Sequence, residues 1–224
     1  MKQILLISDF LSLFQQISPD FAPEGERKAR ADTLCTDLER QRFLAAEWFT
    51  YSLCRRSFGI GDDRILGPAA QKPRFRLHHH VSFSRSYCAD SLLIAAEDHA
   101  EIGADCESIK PADDAVMKYF FTRNERYFVK NARRPDAAFT LIWTRKESYV
   151  KCIGAGLQFP WHLLDVTPRQ DFPPSPQTDH VRDHWITSYL ADNMVLSICS
   201  TRSDGFPSVI QEWSPDEKDN RRLF

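Results

Sequence analysis

The chain has 224 residues, of which 42% are hydrophobic, 12% aromatic and 27% charged, a globular composition long enough for one large domain or two small halves sharing a core. A formal net charge of −2 excludes the global basic field that would hold nucleic acid or an anionic membrane, so any polyanion must be met by local Lys and Arg clusters. Cys35, Cys54, Cys88, Cys106, Cys152 and Cys199 are dispersed, without CxxC or zinc spacing; they read as separate thiols in a reducing, cytoplasmic compartment rather than as a disulfide framework.

The opening MKQILLISDFLSLF is apolar, but Asp9 interrupts it and no small-residue cleavage site follows. It therefore does not read as a signal peptide, and no stretch reaches the ~20 apolar residues of a membrane span. Residues 34–56 lack Gly and Pro and predict a long amphipathic helix. A loop containing GIGDD and GPAAQKP follows, and His78–His80 reads as entry to a strand rather than as a metal tract. Strand-like runs occupy 80–84, 91–97 and 101–109. Helical character returns at 112–131 and 138–153. The stretch 168–180, with four prolines, predicts an irregular loop. HWITSY and NMVLSICS predict a hairpin around a break at 190–193, and WSPDEKDNRRLF a polar, frayed tail. Helix followed by antiparallel strands, stated twice, predicts an α+β fold with a pseudo-duplicated core. The halves are 1–110 and 111–224, each an antiparallel sheet with packed helices.

Two segments carry chemistry. In IGADCESI, period-two alternation puts Ile102, Ala104 and Cys106 on one face and Gly103, Asp105 and Glu107 on the other. Two neighbouring carboxylates either lie on a solvated face or share a cation. In WTRKESYVKCIGAGL, helical spacing gathers Ile142, Trp143, Tyr149, Val150, Ile153 and Leu157 into one arc, with Lys146 inside it. Glu147 and Lys151 form an i,i+4 pair just outside its edge. They are either a plain surface pair, with Lys146 snorkelling, or the remainder of a metal–phosphate site. Mg²⁺ takes one or two carboxylates together with substrate phosphate oxygens, and lysines close by neutralise those phosphates.

Together these segments resemble the 4′-phosphopantetheinyl transferases of the larger, monomeric (Sfp-type) class, whose G-[IV]-D-[IV]-E strand precedes a W-[ST]-x-K-E-[AS]-x-x-K-x-x-G helix. The chain has Gly103-Ala104-Asp105-Cys106-Glu107, then Trp143-Thr144-Arg145-Lys146-Glu147-Ser148-Tyr149-Val150-Lys151 with Gly154 in step. Weaker matches are Arg42–Glu47 to R-x-L-x-[AG]-[DE] and Lys72-Pro73 to a G-K-P loop, with Gln71 in place of the glycine. Val81–Ser86 is similar to N-[IL]-S-H-S, and Phe120–Glu125 to F-F-[ST]-x-x-E. The resemblance spans about residues 40–160.

It implies transfer of the phosphopantetheine arm of coenzyme A to a serine of an apo acyl or peptidyl carrier protein, releasing 3′,5′-ADP. Asp105 and Glu107 would hold Mg²⁺ (or Mn²⁺) against the pyrophosphate. Glu147 would complete the metal site, take the serine proton, or both. Lys151 would stabilise developing phosphate charge, and Lys146 would be a further phosphate contact. Arg42, Lys72, Pro73, Ser84, Arg85 and Ser86 map onto positions that bind the nucleotide and its 3′-phosphate. Arg85 stands where histidine is usual, and Ala104 and Cys106 replace larger apolar residues. Arg123, Arg126, Lys130, Arg133 and Arg134 are either a receiving patch for an acidic carrier or a solvated helix face. Two rival readings remain. One is a metal-dependent nuclease, which the charge balance opposes; the other is a degenerate module that binds coenzyme A or a carrier protein, supported only by Arg85.

Overall fold

The computed structural model describes residues 1–18, 20–67, 72–170, 176–191, 193–208 and 210–213. The apolar N-terminal run divides at Asp9, which takes a left-handed φ of 48°, into strand β1 (Lys2–Ile7) and helix α1 (Phe10–Ile17). Helix α2 (Gly25–Asp32) precedes the long helix α3 (Asp37–Phe58). A reciprocal capping box between Thr36 and Glu39 starts α3, and Gly59 ends it at φ 65°. The short ribbon of β2 (Ile65–Leu66) and β3 (Arg74–Phe75) leads to the hairpin β4 (Val81–Cys88) and β5 (Ser91–Asp98). The acidic run is strand β6 (Ile102–Ser108).

The helical stretch predicted over 112–131 is two helices, α4 (Asp114–Phe120) and α5 (Arg123–Asn131). Thr122 divides them because its hydroxyl accepts from Glu125 N and caps α5. Helix α6 (Pro135–Ile153) follows and stops at Gly154 with φ 70°, so Leu157 lies beyond it. Strands β7 (Thr178–Val181), β8 (His184–Ala191) and β9 (Met194–Ser200) come next, then β10 (Gln211–Trp213). The expected hairpin is β8–β9. The end of the proline-rich stretch is not loop but β7, paired to β8; Gln71, residues 171–175 and the tail from 214 lie outside the described residues.

Two four-stranded sheets result, in the orders β10-β1-β5-β4 and β6-β9-β8-β7. Helices α1 and α3 cover the first through Phe10, Phe14, Ala46 and Phe49. In the second, α6 lies on the sheet, and Ile142, Tyr149 and Cys152 pack with Ile186 and Cys199. The acidic strand, grouped by sequence with residues 1–110, is hydrogen-bonded along its length to β9. It meets the first sheet through serines: Ser82 Oγ accepts from Ile102 N at 3.3 Å and Ser84 Oγ from Ala104 N at 2.9 Å. These hydroxyls stand in for a backbone ladder between β4 and β6, satisfying amides that would otherwise be buried and unpaired.

Gly103 sets how closely α6 can approach. A Cβ there would lie 2.0 Å from Ser148 O and 2.4 Å from Cys152 N. Only glycine lets the helix rest directly on the strand, and that contact brings α6 side chains beside Asp105.

Candidate active site

Asp105 points from β6 into the seam between α6 and β4 and is 3% exposed. Its Oδ1 accepts from Lys151 Nζ at 2.6 Å and from Ser86 Oγ at 2.8 Å, and Lys151 Nζ also donates to Ser86 Oγ at 3.2 Å. Asp105 Oδ2 is buried and has no hydrogen-bond partner. A buried carboxylate oxygen left so is costly and calls for a partner. Glu147, half-buried one helical turn before Lys151, has its carboxyl pushed above the ordinary range, first by burial and then by the Asp105 charge, with Lys151 opposing and Glu107 adding to the rise. Glu107, at the open end of the strand, pairs with Lys110 at 3.2 Å. Cys106 faces the core, where burial pushes its thiol up to about 12.

The structure thus brings together Asp105, Glu147, Lys151 and Ser86, with Glu107 alongside. Among the described residues no three His, Cys, Asp or Glu side chains converge as a ready metal-binding group. The donor chemistry nevertheless fits a hard cation. One buried carboxylate oxygen lacks a partner, a second carboxyl is pushed up by burial and then by its acidic neighbours, and all the donors are oxygens.

Other predicted residues lie elsewhere. Lys146, expected at a phosphate, has its side chain fully buried, 3.0 Å from Glu125, and Nζ donates to Trp161 O at 2.8 Å and to Leu164 O. Three acceptors saturate it, so it joins α5 and the following loop to α6. Lys72 is likewise occupied, donating to Glu101 at 2.6 Å, Ile102 O at 2.8 Å and Cys152 O at 2.9 Å. It locks the Lys72-Pro73 loop to the end of α6, with Pro73 half-buried against Gly67. Ser84 spends its hydroxyl on the β6 backbone.

The six positions expected to bind nucleotide do not form one cluster. Alternation on β4 sends Ser84 and Ser86 to β6, and Arg85 to the α3 side. There Arg85 is tied to buried Glu47, which also accepts from Arg27 Nε at 3.1 Å. Burial alone would raise the Glu47 carboxyl, but the Arg85 and Arg27 guanidiniums outweigh it and hold it below the ordinary range. Phe43 and Phe83 lie 5.9 and 5.8 Å from the Arg85 guanidinium. Arg42 donates to Ala89 O at 3.1 Å and stands 5.7 Å from the Tyr87 ring, with Nε buried and unbonded. Of the predicted cations it keeps a spare donor.

Glu47, Ser82 and Glu125 stand within the motifs with no role expected of them, and Arg27 and Lys110 stand outside every motif. A signal existed for Glu47, an acid amid Ala45, Ala46 and Phe49 on a helix, since a buried carboxylate requires cations. None existed for Arg27, whose partner lies 20 residues away.

With the geometry in hand, comparison with known proteins gives the class. Residues 101–199, which contain Asp105, Glu107, Glu147 and Lys151, match the model of the 4′-phosphopantetheinyl transferase superfamily. The chain is 27% identical over 138 residues to 4′-phosphopantetheinyl transferase psf-1 of Bacillus pumilus, covering 60% of this chain and 59% of that one. It is 29% identical over 144 residues to 4′-phosphopantetheinyl transferase Sfp of Bacillus subtilis, covering 62% of each. A match to 4′-phosphopantetheinyl transferase AcpT of Salmonella typhi is 33% identical over 100 residues, 42% of this chain and 50% of the relative. The alignments thus span about three fifths of the length of the first two relatives. The chain is thus similar, over 101–199 above all, to the 4′-phosphopantetheinyl transferase superfamily.

Proposed function

We propose that this chain transfers the 4′-phosphopantetheine arm of coenzyme A to a serine of an apo acyl or peptidyl carrier protein and releases 3′,5′-ADP. The observation that carries the reading is Asp105, with one oxygen on Lys151 and Ser86 and the other buried and unbonded. Asp105, Glu107 and Glu147 would hold Mg²⁺, or Mn²⁺ in its place. When bound, the ion gathers pyrophosphate oxygens and offsets charge on the leaving phosphate. Glu147, its carboxyl raised by burial, takes the proton of the carrier serine. The serine oxygen bonds to the β-phosphorus as the bond to the 3′,5′-ADP oxygen breaks. Lys151, held at Asp105 and about a third exposed, turns its remaining donor capacity to the charge developing on the phosphates. Arg42, with its spare donor, is the nucleotide contact best supported among those expected; Ser86 positions Lys151 and Asp105.

We infer further that the two halves repeat one unit. Strand, helix and hairpin recur as β1–α3–β4–β5, ordered β1-β5-β4, and as β6–α6–β8–β9, ordered β6-β9-β8. The division at 110 then moves to the turn before β6, because β6 pairs with β9. A repeated core lets one chain act alone, as a monomer. No helix among the described residues is long and apolar enough to cross a membrane, and all six thiols are unpaired; we place the protein in the cytoplasm.

Intact-protein mass spectrometry of several apo carrier proteins, incubated with this chain, coenzyme A and Mg²⁺, tests the proposal. A gain of one phosphopantetheine arm, lost with EDTA or with Asp105→Ala, is expected. Coenzyme A binding with no gain on any carrier would turn the assignment to a non-catalytic binding module.

A further inference from the structure

Among the described residues the three carboxylates of the seam are not gathered into one group, and one of them is engaged by a residue outside every motif. Lys110, two residues past β6, donates to Glu107 Oε2 at 3.2 Å. Asp105 Oδ1 is already held by Lys151 at 2.6 Å. Asp105, Glu107 and Glu147 thus face two ammonium groups, which leaves one excess negative charge and the unbonded Oδ2 of Asp105. The two ammoniums differ in how firmly they are placed. Lys151 bridges Asp105 and Ser86 inside the seam. Lys110 and Glu107 are 46% and 34% exposed and form an i,i+3 pair, the kind that solvent weakens and side-chain entropy opposes.

We infer that Lys110 is an exchangeable counter-ion: it occupies Glu107 in the metal-free protein and is displaced when a divalent cation binds across Asp105, Glu107 and Glu147. The inference rests on the cation site proposed above. Its consequence is a change of sign. Before the cation enters, the seam carries one excess negative charge and repels a diphosphate; with a divalent cation bound, the ion and Lys151 together balance the three carboxylates and that repulsion is gone. Lys110, released from Glu107 but still at the rim, then supplies the one excess positive charge that attracts the diphosphate. Cation and diphosphate therefore bind cooperatively, and Lys110 sets how tightly the cation binds by itself.

Mn²⁺ titration followed by electron paramagnetic resonance, with no nucleotide present, reads this directly. Lys110→Met is expected to bind Mn²⁺ about three- to fivefold more tightly than the unmodified chain, the size of an exposed ion pair removed from competition. Lys118→Met removes the same charge from exposed α4 and is expected to leave the affinity unchanged. Asp105→Asn is expected to weaken binding at least about tenfold. Asp105-dependent binding that Lys110→Met fails to tighten, or that Lys118→Met tightens equally, overturns the counter-ion role alone. Binding indifferent to Asp105→Asn overturns the cation site, and the counter-ion role with it.

Discussion

Helix α6 carries two lysines five residues apart, each against a carboxylate, and they do opposite things. Lys146 and Glu125 are fully buried, and every polar atom is used: Nζ by Glu125 and two carbonyls, Glu125 by Val166 N at 2.9 Å and Thr122 N at 2.7 Å. Lys151 and Asp105 are also in close contact, but the lysine is about a third exposed and Asp105 Oδ2 has no partner. A saturated pair leaves nothing for a ligand and acts as a joint. An unsaturated pair stores the cost of an unmet bond, which a ligand can relieve.

The largest effect should come from breaking the joint. Glu125→Ala leaves a buried ammonium without its counter-charge and should cost about 3–5 kcal/mol of stability in urea unfolding. A Glu125→Leu, Lys146→Met double variant should recover much of that, because both desolvation penalties disappear together. If the single variant costs less than about 1 kcal/mol, the pair is not the buried joint described.

The open pair should invert that pattern. Asp105→Asn keeps size and shape, so its melting temperature should stay within about 3 °C of the parent, while transfer to a carrier should fall about 10³-fold. A large loss of stability with retained transfer would erase the contrast between the two pairs.

Glu47 tests saturation in the other half. Its carboxyl is held below the ordinary range in the folded chain, where Arg85 and Arg27 outweigh burial. Its stabilising contribution is therefore present above the ordinary glutamate value and disappears as pH falls through the lower folded value. Glu47→Gln should cost about 3 kcal/mol at neutral pH, and the gap to the parent should narrow in strongly acidic buffer. A gap independent of pH would sink the assignment.

The smallest effect belongs to Lys151. Lys151→Met should lower kcat by about 10-fold to 10²-fold and leave coenzyme A affinity within about threefold, since its charge acts chiefly as phosphate charge develops. An equal loss in affinity would make it a ground-state contact.

How much of this was legible follows the range of the interactions. Period-two spacing placed Asp105 on a strand, and helical spacing set Glu147 and Lys151 one turn apart, because those relations depend only on local backbone geometry. The order of the motifs pointed to the superfamily that 101–199 match. Spacing also put Lys146 on the buried arc, but could not say which anion met it. That anion is Glu125, on another helix. Nor could it show that Lys72 reaches Ile102 and Cys152 carbonyls, or that the two faces of β4 deliver Ser86 to Asp105 and Arg85 to Glu47.

The residue types and spacings by themselves determined the helix and strand that carry the candidate site, and the Asp, Glu and Lys side chains proposed to act there. Only the tertiary structure decided which of those charges are spent and which are left over. A charge's availability depends on the partners that packing delivers from distant segments, and no local pattern encodes the contact of Gly103 with α6 that brings Lys151 to Asp105.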